Sequence, residues 1–131
     1  MIKDAPTKVV DDVGQEYDPT DVVGYMEETY PEMTSEFKQI QKDQYELFCR
    51  KQYDYGPQNI AVGTILKTPE DIKLSLLGIW FRMNDKIERM KTLLMRNGEN
   101  SVEGEPVTDS FSDVSNYGVM AQVVARGKWA K

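Results

Sequence analysis

Apolar residues recur at helical spacing in three stretches of the chain, separated by short segments rich in glycine, proline and polar residues. The predicted helices cover residues 34–55, 68–96 and 108–126. Thr34 or Ser35 caps the first helix and Gly56-Pro57 ends it. Thr68-Pro69 starts the second, and Gly127 follows the third as a C-terminal cap. The pattern predicts an all-α fold, a helical bundle of about three main helices.

Each of the later helices carries one apolar face. On the second helix the face comprises Leu76, Ile79, Trp80, Met83, Ile87, Met90 and Leu94. On the third it comprises Phe111, Val114, Gly118, Ala121 and Ala125. So short a chain has no obvious element to cover the charged side of the second helix, so we expect oligomerisation to complete the bundle.

Residues 1–33 differ from the rest of the chain. They are rich in Asp, Glu, Pro and Gly, and no helical or strand period persists in them. We expect an extended acidic leader, with at most a short helical turn over 22–30 that Pro31 stops. The helical domain then comprises residues 34–131.

Composition excludes several classes of chemistry. The net charge is −6, from 22 acidic and 16 basic residues, which disfavours binding to duplex nucleic acid. The chain has no histidine, so serine and cysteine triads and imidazole metal sites are excluded. There is no phosphate-binding loop, dinucleotide fingerprint, zinc-spaced cysteine set or EF-hand loop either. Acid–base chemistry would depend on carboxylates, lysine or tyrosine.

The single cysteine and the hydropathy indicate a cytoplasmic protein. Cys49 has no disulfide partner and lies in the middle of the first helix, where we expect it to be buried as a small apolar residue. No secretory signal is visible, and no apolar run reaches the roughly 18 residues of a membrane span.

The third helix carries the sharpest candidate site. Asp109, Asp113 and Asn116 recur at i, i+4 and i+7 and share one stripe. Paired carboxylates suit Mg²⁺ or Mn²⁺, whose other ligands are commonly water and phosphate oxygens. The alternative is that Asp109 is a first-turn acid favoured by the helix dipole and Asp113 a solvated surface residue.

The second helix presents a charged row of Arg82, Asp85, Lys86 and Arg89. Its basic residues are candidates for binding a triphosphate, and Asp85 is a candidate third metal ligand. The alternative is an ordinary ladder of ion pairs at i, i+3 and i+4.

The end of the first helix offers a candidate base-binding group. Tyr53 and Tyr55 are candidates to stack on a base, Asn59 or Gln58 to read its edge, and Asp54 to position a metal or water. The alternative is that the tyrosines close one end of the core.

Three segments between Leu47 and Met120 carry a family resemblance: Tyr53 to Gly56, Arg82 to Arg89, and Asp109 to Asp113 followed by Asn116-Tyr117. Together they resemble the phage and bacterial family called nucleotide modification associated domain, type one. That family is similar in layout to the all-α nucleoside triphosphate pyrophosphohydrolases of the MazG and dimeric dUTPase type. The resemblance implies a nucleotide ligand, a divalent cation, a homo-oligomer and a bacterial or phage-infected cytoplasm.

Three functions follow from these observations. The first is metal-dependent cleavage of a nucleoside triphosphate between its α and β phosphates, with Asp109, Asp113 and Asp85 as metal ligands and Asp113, Asp109 and Asp54 as catalytic residues. The second is nucleotide binding without turnover, since the pyrophosphohydrolases carry a Glu-x-x-Glu pair where this chain has only Asp85-x-x-Glu88. The third is a structural or assembly role.

Overall fold

The computed structural model describes residues 9–96 and 100–131, and these are mostly helical. The elements, in chain order, are β1 (Val9–Val10), β2 (Glu16–Tyr17), α1 (Val22–Thr29), α2 (Pro31–Tyr55), α3 (Gln58–Ala61), α4 (Pro69–Met95) and α5 (Val107–Ala125). The all-α class predicted from the sequence is confirmed at this level. Helices α2, α4 and α5 correspond to the three predicted main helices.

The chain divides into two compact units, Met1–Asp43 and Gln44–Lys131, and the boundary falls within α2. The first unit contains the strands, α1 and the beginning of α2. The second contains the end of α2 and the helices α3, α4 and α5. Every candidate site residue lies in the second unit.

In the first unit, a tight hairpin precedes α1. Strands β1 and β2 pair antiparallel, with Val9 opposite Tyr17. The turn between them needs a positive φ at Gly14, where φ is 89°. The Asp11 carboxylate accepts hydrogen bonds from the backbone N–H groups of Val13 at 3.0 Å and Gln15 at 2.8 Å. One side chain therefore organises the turn.

Asp11 also accepts a hydrogen bond from the Tyr25 hydroxyl on α1. The Tyr25 ring lies 4.3 Å, centroid to centroid, from the ring of Tyr17. The expectation of an extended leader is therefore wrong for the hairpin of residues 9–17 and for residues 31–33, which begin α2. The short helical turn expected over 22–30 is confirmed by α1 (Val22–Thr29). The Asp11–Tyr25 bond joins residues 14 positions apart, so helical or strand periodicity does not reveal it. Residues 1–8, the first part of the predicted leader, lie outside the described residues.

The Asp11–Tyr25 hydrogen bond predicts a specific pH dependence. The bond raises the pKa of Tyr25 from 10.0 to about 12, because ionised tyrosine loses the donor and faces a carboxylate. A raised folded-state pKa contributes stability that is present below pH 10 and is lost as the pH rises towards 12. The same bond lowers the pKa of Asp11 below 3.8, so its contribution is present above that pH and lost in stronger acid.

We expect Asp11→Asn to return the Tyr25 titration towards pH 10, measured by following the Tyr25 ring signals by NMR across the alkaline range. Asp12→Asn, which removes the same charge one residue away, is the matched control and should leave the Tyr25 midpoint near 12. An unchanged midpoint in the Asp11 variant would contradict the interpretation.

Helix α2 begins at Pro31, three residues before the predicted cap. Proline suits the first position of a helix because its φ is already helical and its missing N–H has no intrahelical partner there. Thr34 is therefore inside the helix, and its hydroxyl donates to the backbone carbonyl of Tyr30 at 3.0 Å. Pro31 thus separates α1 from α2, and the predicted domain start at residue 34 falls within a helix.

The start of α4 confirms the sequence prediction. The Thr68 hydroxyl accepts from the backbone N–H of Asp71 at 3.1 Å, and the Asp71 side chain accepts from the Thr68 backbone, which makes a capping box. Pro69 occupies the first turn. This start is encoded by four consecutive residues, which is why the sequence predicts it.

The core of the second unit lies between α3, α4, α5 and the C-terminal segment. Its buried members are Ile60, Ile79, Met120, Val124 and Trp129. Helix α3 lies between the first two predicted helices, where residues 57–67 were expected to form a loop, since four residues are too few to show a period. Its two buried residues, Ile60 and Ala61, nevertheless pack in the interior.

Two polar side chains secure α3 and the C-terminus. The buried Ser75 hydroxyl donates to the backbone carbonyl of Ile60 at 2.7 Å. The Trp129 indole N–H donates to the backbone carbonyl of Pro57 at 2.8 Å, and its ring meets Phe48 edge-on with 5.9 Å between centroids.

The predicted apolar faces are only partly buried. On α4, Ile79 is buried, but Trp80, Ile87 and Leu94 are exposed. On α5 the buried residues are Ser110, Met120 and Val124, whereas Phe111 and Ala125 are exposed. A helical wheel identifies an apolar side but not which part of it meets a neighbour. The exposed apolar surface agrees with the expected oligomer, which stays a prediction.

Cys49 is exposed, so the expectation that it is buried is wrong. It follows Phe48, which packs against the core, and the next position on a helix points about 100° away. None of the helices in residues 9–96 and 100–131 is long and apolar enough to cross a membrane.

Candidate functional site

A cavity of about 370 Å³ opens between the end of α2, α3, α4 and α5. We call it the basic cavity, because its charged lining residues are Lys51, Arg82, Lys86 and Asp113. Three cations and one acid give it a local charge opposite in sign to the net charge of −6 of the whole chain. Such a site attracts anions.

The remaining lining residues of the basic cavity are amides and apolar side chains. They are Gln52, Asn59, Asn116, Phe48, Tyr55, Tyr117 and Met120. Aromatic rings beside cations and amides suit a ligand that carries both a planar ring and a negative charge.

Helical spacing explains why these residues converge. On α2, Phe48, Gln52 and Tyr55 follow at i, i+4 and i+7 and share one face. Arg82 and Lys86 are four apart on α4, so they too point the same way. The cavity lies where these two faces meet the Asp113 side of α5.

Asp113 lies between two lysines at the cavity wall. One carboxylate oxygen is 3.2 Å from the Lys51 Nζ and the other is 3.1 Å from the Lys86 Nζ. The Asp113 side chain is 19% exposed, so solvent screens these ion pairs less than it would on an open surface. Asp113 is therefore the internal counter-ion of the two lysines.

A second cavity of about 450 Å³ adjoins the basic cavity. Lys51, Lys86 and Asp113 line both cavities, and the second also contains Arg89 and Asp109. The two cavities thus share these three charged residues, whereas the amide and aromatic residues line the basic cavity alone.

Two arginines of α4 donate hydrogen bonds to neighbouring segments of the chain and are not free to bind a ligand with all of their N–H groups. Arg89 donates to the Ser110 hydroxyl at 2.6 Å and to the backbone carbonyls of Glu105 and Pro106, which fixes the start of α5. Arg82 donates to the backbone carbonyl of Asn59 at 3.3 Å. Arg89, predicted to bind substrate, therefore positions α5, while Arg82 lines the basic cavity and positions α3.

Asn116 is also engaged. Its side-chain amide donates to the backbone carbonyl of Gln44 at 3.2 Å, and Ser115 donates to the Gln44 side chain at 2.9 Å. The predicted binding residue Asn116 thus lines the cavity and ties α5 to α2 at the same time.

The predicted metal set does not assemble. Within the described residues, no three or more Asp, Glu or Cys side chains come close enough to hold one metal ion. Asp85 is exposed and lines neither cavity, and both oxygens of Asp113 face ammonium groups. Asp109 and Asp113 do line the second cavity together. Two carboxylates leave most of the Mg²⁺ coordination to water and to a ligand's phosphate oxygens.

Of the three candidate residues at the end of α2, only one lines a cavity. Tyr55 lines the basic cavity, but Tyr53 is 90% exposed and Asp54 is exposed, and neither lines either cavity. Successive residues are about 100° apart on a helix, so Tyr53 and Asp54 point away from the face of Gln52 and Tyr55. The structure gives no support to Asp54 as a catalytic residue or to Tyr53 as a stacking one.

The sequence interpretation missed Lys51, Gln52, Phe48 and Tyr117. The available signal was the spacing of Phe48, Gln52 and Tyr55, which places an amide in the apolar stripe of α2. The pairing of Lys51 with Asp113 joins residues 62 positions apart and leaves no local signal.

The chain matches none of the protein-family models, none of the curated proteins and none of the solved structures with which it was compared. The resemblance to the nucleotide modification associated family therefore stays a prediction.

Proposed function

We propose that the second unit binds a nucleotide in the basic cavity, without needing a divalent cation. The observation that carries this proposal is the convergence of Lys51, Arg82 and Lys86 on one cavity with a single carboxylate. A volume of about 370 Å³ lies within the range of small-molecule sites. Lysine and arginine side chains are common ligands of phosphate groups.

The phosphate groups lie against the lysine pair. A phosphate oxygen approaching Lys51 and Lys86 competes with the Asp113 carboxylate for the same two ammonium groups. The base lies against Tyr55 or Tyr117, whose rings offer flat apolar faces for stacking. Arg82 keeps α3 in place and adds positive charge beside the phosphates.

Asp113→Asn is the variant that separates binding from catalysis. If the cavity only binds, removing the carboxylate leaves Lys51 and Lys86 without a counter-ion, and nucleotide affinity should rise by about tenfold. Isothermal titration calorimetry with nucleoside triphosphates, in EDTA and again in Mg²⁺, measures this change. Asp85→Asn makes the same charge change at an exposed position of α4 that lines neither cavity, and it should leave affinity unchanged. Weaker binding by the Asp113 variant in EDTA would contradict the proposal.

A second candidate function is hydrolysis of the bound nucleotide, because Asp109 and Asp113 line one cavity beside the two lysines. In this candidate Mg²⁺ or Mn²⁺ is a cofactor and Asp113 is needed for turnover. Incubation of the wild type with nucleoside triphosphates and Mg²⁺, followed by chromatography of the products, tests it. Pyrophosphate release that disappears in Asp113→Asn selects hydrolysis, and intact nucleotide selects binding alone.

A further inference from the structure

Two amide side chains of the basic cavity have an oxygen that no described residue bonds. The side-chain oxygens of Gln52 and Asn59 are buried, and neither has a hydrogen bond within the described residues. The third amide of the cavity, Asn116, is bonded to Gln44 and so has a structural role. A buried polar atom without a partner is destabilising, and native proteins contain few of them.

The position of the two amides separates them from the phosphate end of the site. Lys51, Lys86 and Asp113 line both cavities, whereas Gln52 and Asn59 line the basic cavity alone, as Tyr55 does. A nucleotide whose phosphates contact the lysine pair therefore has its base on the amide and aromatic side. Each terminal amide turns about a bond with a broad torsional profile, so a small rotation presents its oxygen to the cavity.

We propose that Gln52 and Asn59 determine base specificity, and that the preferred base carries an exocyclic amino group whose N–H donors satisfy the two amide oxygens. This proposal rests on the proposed nucleotide-binding function. A base that presents a carbonyl at the same position can accept only from the amide N–H groups and supplies no donor, so both amide oxygens stay unpaired. The site thus favours cytosine over uracil, and adenine over hypoxanthine.

Matched ligands test the role of the amino group. Cytidine and uridine triphosphates differ at the amino or carbonyl group of C4 and the protonation of the neighbouring N3. Calorimetry in EDTA should show the cytidine nucleotide binding about tenfold more tightly. Inorganic tripolyphosphate has no base, so its affinity measures binding to the lysine pair alone. Equal affinity for the two nucleotides, or tighter binding of the uridine one, overturns the proposal.

Gln52→Met and Asn59→Leu replace the amides with apolar side chains of similar size. Each variant should bring the ratio of cytidine to uridine affinity close to one and leave tripolyphosphate affinity unchanged. Gln122→Met, at an exposed position of α5 that does not line the basic cavity, is the control and should keep the wild-type ratio. A ratio that stays near ten in both amide variants overturns the assignment.

The same measurements distinguish a failure of the base-specificity proposal from a failure of the proposed nucleotide-binding function. If neither nucleotide nor tripolyphosphate binds to the wild type, the proposed function fails and the base assignment fails with it. If tripolyphosphate and both nucleotides bind equally well, the anion site stands and only the base assignment is lost.

Discussion

Replacing Lys51 and Lys86 together by methionine is expected to weaken nucleotide binding by at least about 100-fold. In the proposed function each ammonium group donates a charge-assisted hydrogen bond to phosphate, and such a bond is worth about 1.5–3 kcal/mol. Tenfold in affinity corresponds to about 1.4 kcal/mol. The Asp113 carboxylate, left without its two partners at 3.2 and 3.1 Å, also repels the phosphates. Methionine keeps the unbranched stem of lysine, so packing around the cavity is largely preserved.

The matched control for this double variant is Lys73→Met with Lys91→Met. Both lysines are exposed on α4 and line neither cavity, so the control changes the net charge equally. Calorimetry in EDTA with a nucleoside triphosphate measures both variants, and thermal unfolding followed by circular dichroism confirms that each is folded. Equal losses in the two double variants would show that binding depends on overall charge and not on the basic cavity.

Trp129→Ala is expected to lower the free energy of unfolding by about 3–5 kcal/mol, the usual cost of removing a large buried aromatic side chain. Trp129 is 5% exposed and belongs to the core cluster. Its indole N–H is bonded to the Pro57 carbonyl at 2.8 Å, so truncation also leaves that carbonyl without its donor. Domains are commonly stable by only about 5–15 kcal/mol, so the variant should be close to unfolding.

Urea denaturation followed by circular dichroism measures this loss. Trp129→Phe keeps most of the apolar volume and removes the donor, so it should cost less, about 1–3 kcal/mol. Trp80→Ala is the matched control, since the other tryptophan is 55% exposed, and it should cost less than about 1 kcal/mol. A Trp129→Ala variant as stable as the Trp80 variant would contradict the position given to Trp129 in the core.

The helix boundaries show which parts of the fold are encoded locally. The Thr68–Asp71 capping box and the glycine after α5 involve only neighbouring residues, so the sequence predicts them. The hairpin of residues 9–17 and its bond to Tyr25 depend on contacts between separate segments. Such contacts leave no periodicity, and residues 1–33 were therefore predicted as an extended leader with at most one short helical turn.

The candidate site shows the same division. Arg82, Lys86, Asn59, Tyr55, Asn116 and Asp113, all selected from the sequence, line the basic cavity. What the sequence did not reveal is the partner of each group. Asp113 was expected to face a metal ion with Asp109 and Asp85, and its oxygens face two lysines from α2 and α4. Spacing along one helix predicts which side chains share a face, but not which side chains of the neighbouring helices contact that face.

The internal counter-ion has one further consequence. Asp113 already pairs with Lys51 and Lys86. An incoming anion must therefore attract the two ammonium groups more strongly than this carboxylate does, although the carboxylate is already held beside them. Chloride and other singly charged ions gain little by displacing the carboxylate from the lysines, whereas a polyphosphate carries enough charge to displace it. If the cavity binds nucleotides as proposed, the carboxylate is expected to select against small singly charged anions at the lysine pair.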